Sequence, residues 1–168
     1  MSRKGTVAAL ILMLAALRTA RAEVIDLSAQ SDAYFSNPLK ADRVAATLRG
    51  RSCADAVFSV TIESNGVRLF ERTIPVARIL SCEWFRRAPD EARWAAIHLV
   101  NSAIAPLRAS DRHCSPSRAI GCVASPVLER LQRANVPLLC FATGSESSSC
   151  VSFDPEAKAV VEVWRYSE

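Results

Sequence analysis

The chain has 168 residues, half of them apolar, and a formal charge of +4. That positive excess lies entirely in Arg3, Lys4, Arg18 and Arg21. Residues 23–168 hold 17 basic and 17 acidic side chains, which removes the compositional case for nucleic-acid binding.

Residues 1–22 have the pattern of a secretory signal peptide. Ser2-Arg3-Lys4 is a basic start, Thr6 to Leu17 an apolar centre and Ala20-Arg21-Ala22 a small-residue cleavage site. The apolar centre is far shorter than the ~20 residues of a stable bilayer span. No later apolar run is longer, so no membrane span is expected after residue 22. Cleavage after Ala22 leaves residues 23–168, a size for one domain with one core. The expected location is the periplasm or the extracellular space. Only Lys40 and Lys158 accompany fifteen arginines in that part, and no Asn-x-Ser/Thr site is present; both fit a bacterial source.

Glu23–Ser28 is expected to form a short strand or an ordered arm, and residues 29–37 a polar turn. Asn37-Pro38 reads as a helix start, with Asn37 as N-cap and Pro38 in the first helical position. The helix is expected to run to Arg49, with Ala41, Val44, Ala45 and Leu48 inward and Gly50 as a left-handed cap. Two β-rich runs then flank Asn65-Gly66, the preferred centre of a type I′ turn. A two-residue loop pairs Glu63 with Arg68 and Thr61 with Phe70. Phe58, Val60 and Ile62 alternate and face the core. Pro75 ends the second strand.

Residues 78–88, RILSCEWFRRA, are expected to form a short strand or turn. The helix that follows, Pro89–Ala105, starts on a proline, carries Asp90 and Glu91 at its positive end and stops before Pro106. Ile97, Val100 and Ile104 form its apolar face, widened by Ala96 and Ala103. Glu91, Trp94, His98 and Asn101 form one polar stripe. Arg86 and Arg87 precede the helix and pair with Asp90 and Glu91 or face an anion. Residues 106–124 read as a loop. Ser125-Pro126 opens a short helix to Ala134, with Leu128 and Leu131 inward. Pro137–Thr143, Val151–Phe153 and Ala159–Tyr166 read as an antiparallel meander, with a polar loop at 144–149.

The resulting fold class is α+β: one disulfide-stabilised domain in which a largely antiparallel sheet, hairpin plus three-stranded meander, packs against two or three helices. One sheet with helices on one face is the expected arrangement. All six cysteines follow residue 22, and an even count behind a signal peptide reads as a disulfide framework. Neighbour pairing is expected: Cys53–Cys82, Cys114–Cys122 and Cys140–Cys150. Metal-ligand spacings are missing, so neither a metal nor another cofactor is expected.

Phosphate-binding, zinc-protease and nucleophile-elbow motifs are absent too. A general acid–base arrangement would have to come from His98, His113 and Glu91, as in a small secreted nuclease or glycan-cleaving hydrolase. Glu91 and His98 stand two helical turns apart, about 10.5 Å along the axis, beyond direct hydrogen-bond reach. The simpler reading is a binding protein of inhibitor, immunity or envelope-accessory type without catalysis, whose partner is another protein or envelope macromolecule. Trp84, Phe85, Arg86, Arg87 and Trp94 are the candidate binding patch, because aromatic and arginine anchors dominate interfaces.

Overall fold

The computed structural model describes residues 24–108, 123–124 and 126–167. Residues 1–22, expected to be a signal peptide, lie outside the described residues, as do His113, Cys114 and Cys122 and with them the expected Cys114–Cys122 pairing. The domain is α+β, and its strands form two antiparallel sheets instead of one.

The first sheet is a meander in the order β1-β2-β3-β4. β1 (Ile25–Asn37) and β2 (Lys40–Gly50) form a hairpin. This overturns both the turn expected at 29–37 and the helix expected over 38–49. In β2 the buried residues are Asp42, Val44, Ala46 and Leu48, a strict period of two, which only a strand produces. Asn37 does accept a backbone hydrogen bond, from Leu39 N–H at 2.8 Å. That bond closes a hairpin turn of the Asx kind and caps no helix. Just before the turn the register slips between Ala33 and Asn37. There the buried Asp42 carboxylate accepts Phe35 N–H at 3.0 Å, Ser36 N–H at 2.5 Å and the Ser36 hydroxyl at 2.8 Å. These bonds satisfy amides that the irregular ladder would otherwise leave unpaired.

β3 (Val57–Ser64) and β4 (Val67–Pro75) complete the sheet. Asn65 and Gly66 have φ of 53° and 78°, as a type I′ turn demands. Glu63 lies opposite Arg68, joined by an ion pair at 3.2 Å. Beyond it the register shifts, so Phe70 lies opposite Ile62 and not Thr61. The extra residue, Leu69, is half-buried beside Phe70, and both pack on the core. The bulge therefore turns two adjacent apolar side chains inward where a regular strand would offer one.

The second sheet has the order β5-β7-β8-β9-β6. β7 (Pro137–Gly144), β8 (Ser147–Asp154) and β9 (Ala159–Ser167) are the meander. The polar loop at 144–149 shrinks to a tight turn, because Ser147–Ser149 join β8. Ser149 is buried and donates to Glu162 at 2.6 Å. β5 (Pro106–Arg108) pairs with β7, and β6 (Val123–Ala124) with β9, so the ends of the expected 106–124 loop are sheet edges.

Among the described residues three helices connect or cover the sheets. A single 3-10 turn, Val76–Arg78, leads into α1 (Cys82–Arg87), so the segment before the long helix is helical and not a strand or turn. α2 (Pro89–Ser102) follows after one residue, and α3 (Pro126–Arg133) lies near the C-terminal meander. The main core joins Val44, Leu48, Phe58, Val60 and Ile62 of the first sheet, Ala96, Leu99 and Val100 of α2, and Leu139, Phe141 and Val151 of the second sheet. A second cluster lies on the other face of the second sheet, where Leu128 and Leu131 of α3 meet Leu138, Cys150, Val163 and Trp164. Alternation assigns the faces: Leu138 and Leu139 are neighbours in β7 and enter different clusters. The helices thus cover two faces, not one. Arg130 of α3 ties this layer to the β8 turn by gripping both oxygens of the buried Asp154 at 2.8 Å.

Candidate functional site

α1 and α2 meet at Ala88, whose N–H bonds to Trp84 C=O at 2.8 Å while its C=O accepts Ala92 N–H at 3.0 Å. Pro89 occupies the start of α2, with Asp90 and Glu91 in its first turn, where negative charge suits the helix dipole. Arg86 and Arg87 close α1, where positive charge suits a helix C-terminus. Their expected pairing with Asp90 and Glu91 gives way to a different ion pair, Arg87 with Glu83 one turn back.

α2 buries Ala92, Ala96, Leu99 and Val100, and Ala103, its C-cap, is buried too. Of the expected face, Val100, Ala96 and Ala103 point inward, while Ile97 is 39% exposed and Ala92 and Leu99 take part in its place. Small residues at 92, 96 and 103 let the helix approach the first sheet closely. Trp94 is 63% exposed, and Glu91, His98 and Asn101 are exposed with it. The Trp94 and His98 rings meet at an angle of 55° with centroids 3.9 Å apart. Glu91 accepts a long bond from the Trp84 indole N–H at 3.4 Å. The stripe is thus an outer helix edge, with each ionisable group against an indole.

The candidate patch is divided between two faces of this corner. Trp84 and Trp94 line one open recess with Asp90 and Glu91. Phe85 and Arg86 line another, a groove of about 490 Å³. Arg87 lines neither. The groove lies where α1 and α2 face the start of β1 and the loop after β2. Ile25, Leu27, Phe85 and Ala96 supply apolar surface, and Arg51, Arg86 and Arg93 supply positive charge.

Two local devices hold its walls. Cys53, from the loop after β2, is joined to Cys82 at the start of α1, with Cα atoms 5.4 Å apart. In the same loop Asp55 accepts the Ser52 N–H at 2.5 Å and the Ser52 hydroxyl at 2.8 Å, with Arg51 N–H at 3.3 Å. Donation from the Ser52 hydroxyl, then from the backbone amides, holds the Asp55 carboxyl below its ordinary value. The second bridge joins Cys140 and Cys150, which lie opposite each other in β7 and β8, well away from the groove.

Arg51, Arg93 and the β1 residues are groove members that sequence reasoning missed. One signal for them exists. Pro89, Arg93 and Ala96 are spaced 4 and 3 on one side of α2, and a Cys53–Cys82 bridge necessarily brings the 51–54 loop to α1. Among the described residues no group of three His, Cys, Asp or Glu side chains could hold a metal ion, and no helix is long and apolar enough to cross a membrane. Comparison of the chain with family models, curated proteins and solved structures finds no match.

Proposed function

We propose that this is an exported binding protein that acts by holding another macromolecule outside the cytoplasm, through the groove at the α1–α2 corner, without turnover of its own. The observation that carries this reading is the groove itself: a concave apolar surface with three arginines, walled by a disulfide. Apolar anchors with arginine are what a protein interface uses, and a rigid wall limits the ordering cost of association. The disulfides are consistent with an oxidising, exported location, and the signal-peptide pattern of residues 1–22 agrees.

The hydrolase reading draws on less. Glu91 and His98 sit on an outer helix edge and outside the groove, and His113 lies outside the described residues. The test is a pair of assays on the purified exported protein. Nucleic acid, glycan and peptide substrates are expected to remain intact, and His98→Ala is expected to change nothing. Degradation of any of them, lost about a hundredfold in His98→Ala as removal of a general acid–base produces, overturns the binding reading.

A further inference from the structure

We infer that the recess on the other face of the α1–α2 corner binds a small quaternary ammonium solute, its cation set against the Trp84 and Trp94 indoles beside the Asp90 and Glu91 carboxylates. This goes beyond the function proposed above and does not rest on it, because the recess and the groove share no lining residue.

The recess is lined by Trp84 of α1 and by Asp90, Glu91 and Trp94 of α2. Helical spacing builds its α2 wall. Asp90 and Glu91 come four and three residues before Trp94, on the turn over which the side chain of residue 94 leans. Trp84 joins them from α1, its indole N–H reaching Glu91 at 3.4 Å. The ring partner of Trp94 is not Trp84 but His98, four residues further along α2. The histidine and the carboxylates therefore flank Trp94 on opposite sides along the helix, and the recess lies on the carboxylate side. Trp94 is left 63% exposed, although large aromatic side chains are mostly buried when their role is packing.

Charge at this corner is sorted by face. Arg86 and Arg93 line the groove, and Arg87 is held by Glu83. No basic side chain lines the recess, and among the described residues neither Asp90 nor Glu91 has an ion-pair partner. The positive end of α2 offsets about half an elementary charge, so two carboxylates leave the recess negative. The indole faces add to that field through their quadrupoles, and together they attract a cation. The apolar ring surface then selects which cation. A metal ion needs converging ligands, and no group of three His, Cys, Asp or Glu among the described residues supplies them. A primary ammonium pressed on an indole gives up hydrogen bonds to water. A quaternary ammonium has no N–H to leave unpaired and an apolar exterior, and aromatic rings recognise it by this attraction.

The test follows the indole N–H signals of the exported protein by NMR as choline is added. The chain has three tryptophans. The third, Trp164, is buried in the cluster on the far face of the second sheet and serves as the internal reference. Choline is expected to shift the Trp84 and Trp94 signals with a Kd of about 1 mM and to leave Trp164 in place. Its uncharged isostere 3,3-dimethylbutanol is expected to bind about fivefold more weakly, the loss of the cation's attraction to the rings. Trp94→Ala, at an exposed position, and the double variant Asp90→Asn with Glu91→Gln are each expected to keep the wild-type circular dichroism and to weaken choline by about the same factor. No shift of the two signals at about 10 mM choline, equal binding of the isostere, or equal shifts of all three indoles overturns the inference. Unchanged affinity in the folded Trp94→Ala variant does so too. Binding to phosphatidylcholine vesicles without binding to choline would make the recess a lipid contact, and tighter binding of methyl glucoside would make it a sugar platform; either result overturns the solute reading. None of these outcomes touches the groove, whose partner is tested separately.

Discussion

Gly50 illustrates how one residue type serves different geometries. As the end of a helix it would supply a left-handed cap, but it ends a strand, and among the described residues Gly66 is the glycine at positive φ. What Gly50 provides is space. A Cβ there would lie 2.4 Å from Ala56 Cα and 2.7 Å from its N. Ala56 in turn accepts Val76 N–H at 2.9 Å, so the backbone that would have to move ties the loop to the end of β4. Gly50→Ala is expected to destabilise the fold by about 1–3 kcal/mol, the usual cost of overpacking, measured by urea denaturation. A neutral result would mean that Ala56 yields freely. Asp55, a few residues on, gives a pH handle on the groove loop. Its carboxyl titrates below the ordinary value in the folded protein. Its support is therefore complete above the unfolded value of about 4 and is lost as pH falls through the lower folded value. Acidification through that range is expected to loosen residues 51–54, visible as shifts of the Ser52 and Arg51 amide signals. In Asp55→Asn those shifts are expected to vanish.

At the scale of elements, the two disulfides separate stability from binding. Each bridge is expected to contribute about 2–4 kcal/mol by restricting the unfolded chain. Replacing Cys140 and Cys150 by serine is expected to lower the denaturation midpoint and leave affinity for the groove's partner intact. Replacing Cys53 and Cys82 is expected to lower both, because that bridge joins two walls of the groove. Equal loss of affinity in the two variants would contradict this division. The same elements show what a sequence can and cannot disclose. The β3–β4 hairpin was legible because Asn65-Gly66 fits one turn type and Phe58, Val60 and Ile62 alternate cleanly. α3 was legible because Pro126 and Asn135, the latter at φ 51°, mark its ends. β2 was misread because Asn37-Pro38 suits a helix start as well as a turn, and because alanines at 41, 45 and 46 satisfy either period. Only the partner strand decides, and β1, polar on every second residue, gives a weak signal until its inward set, Leu27, Ala29 and Ala33, is seen against the core.

The whole molecule is two antiparallel sheets with α2 packed at their common core and α3 on the far face of the second. Its fold class was readable, because strand and helix signals were each present. The division into two sheets was not, since it depends on pairings between residues far apart, such as Pro106 with Leu139 and Val123 with Arg165. The candidate site was legible in part. Aromatic and arginine residues flagged the α1–α2 corner, but the corner has two faces, and sequence spacing could not say that Phe85 and Arg86 turn to one while Trp84 and Trp94 turn to the other. The arginines of the groove come from the loop after β2, from α1 and from α2; α1 runs into α2 at Ala88, and the Cys53–Cys82 bridge brings the loop to them. The proposed function requires a partner held in that groove. The most direct measurement places a photo-crosslinking benzophenone amino acid at Phe85, inside the groove, and for comparison at Arg72, exposed on β4, in cells exporting the protein. Light is expected to yield one dominant adduct from position 85 and none from position 72, with the adduct lost when Arg86 is changed to Glu. No adduct from position 85, or the same adduct from both positions, would mean that the groove holds no partner.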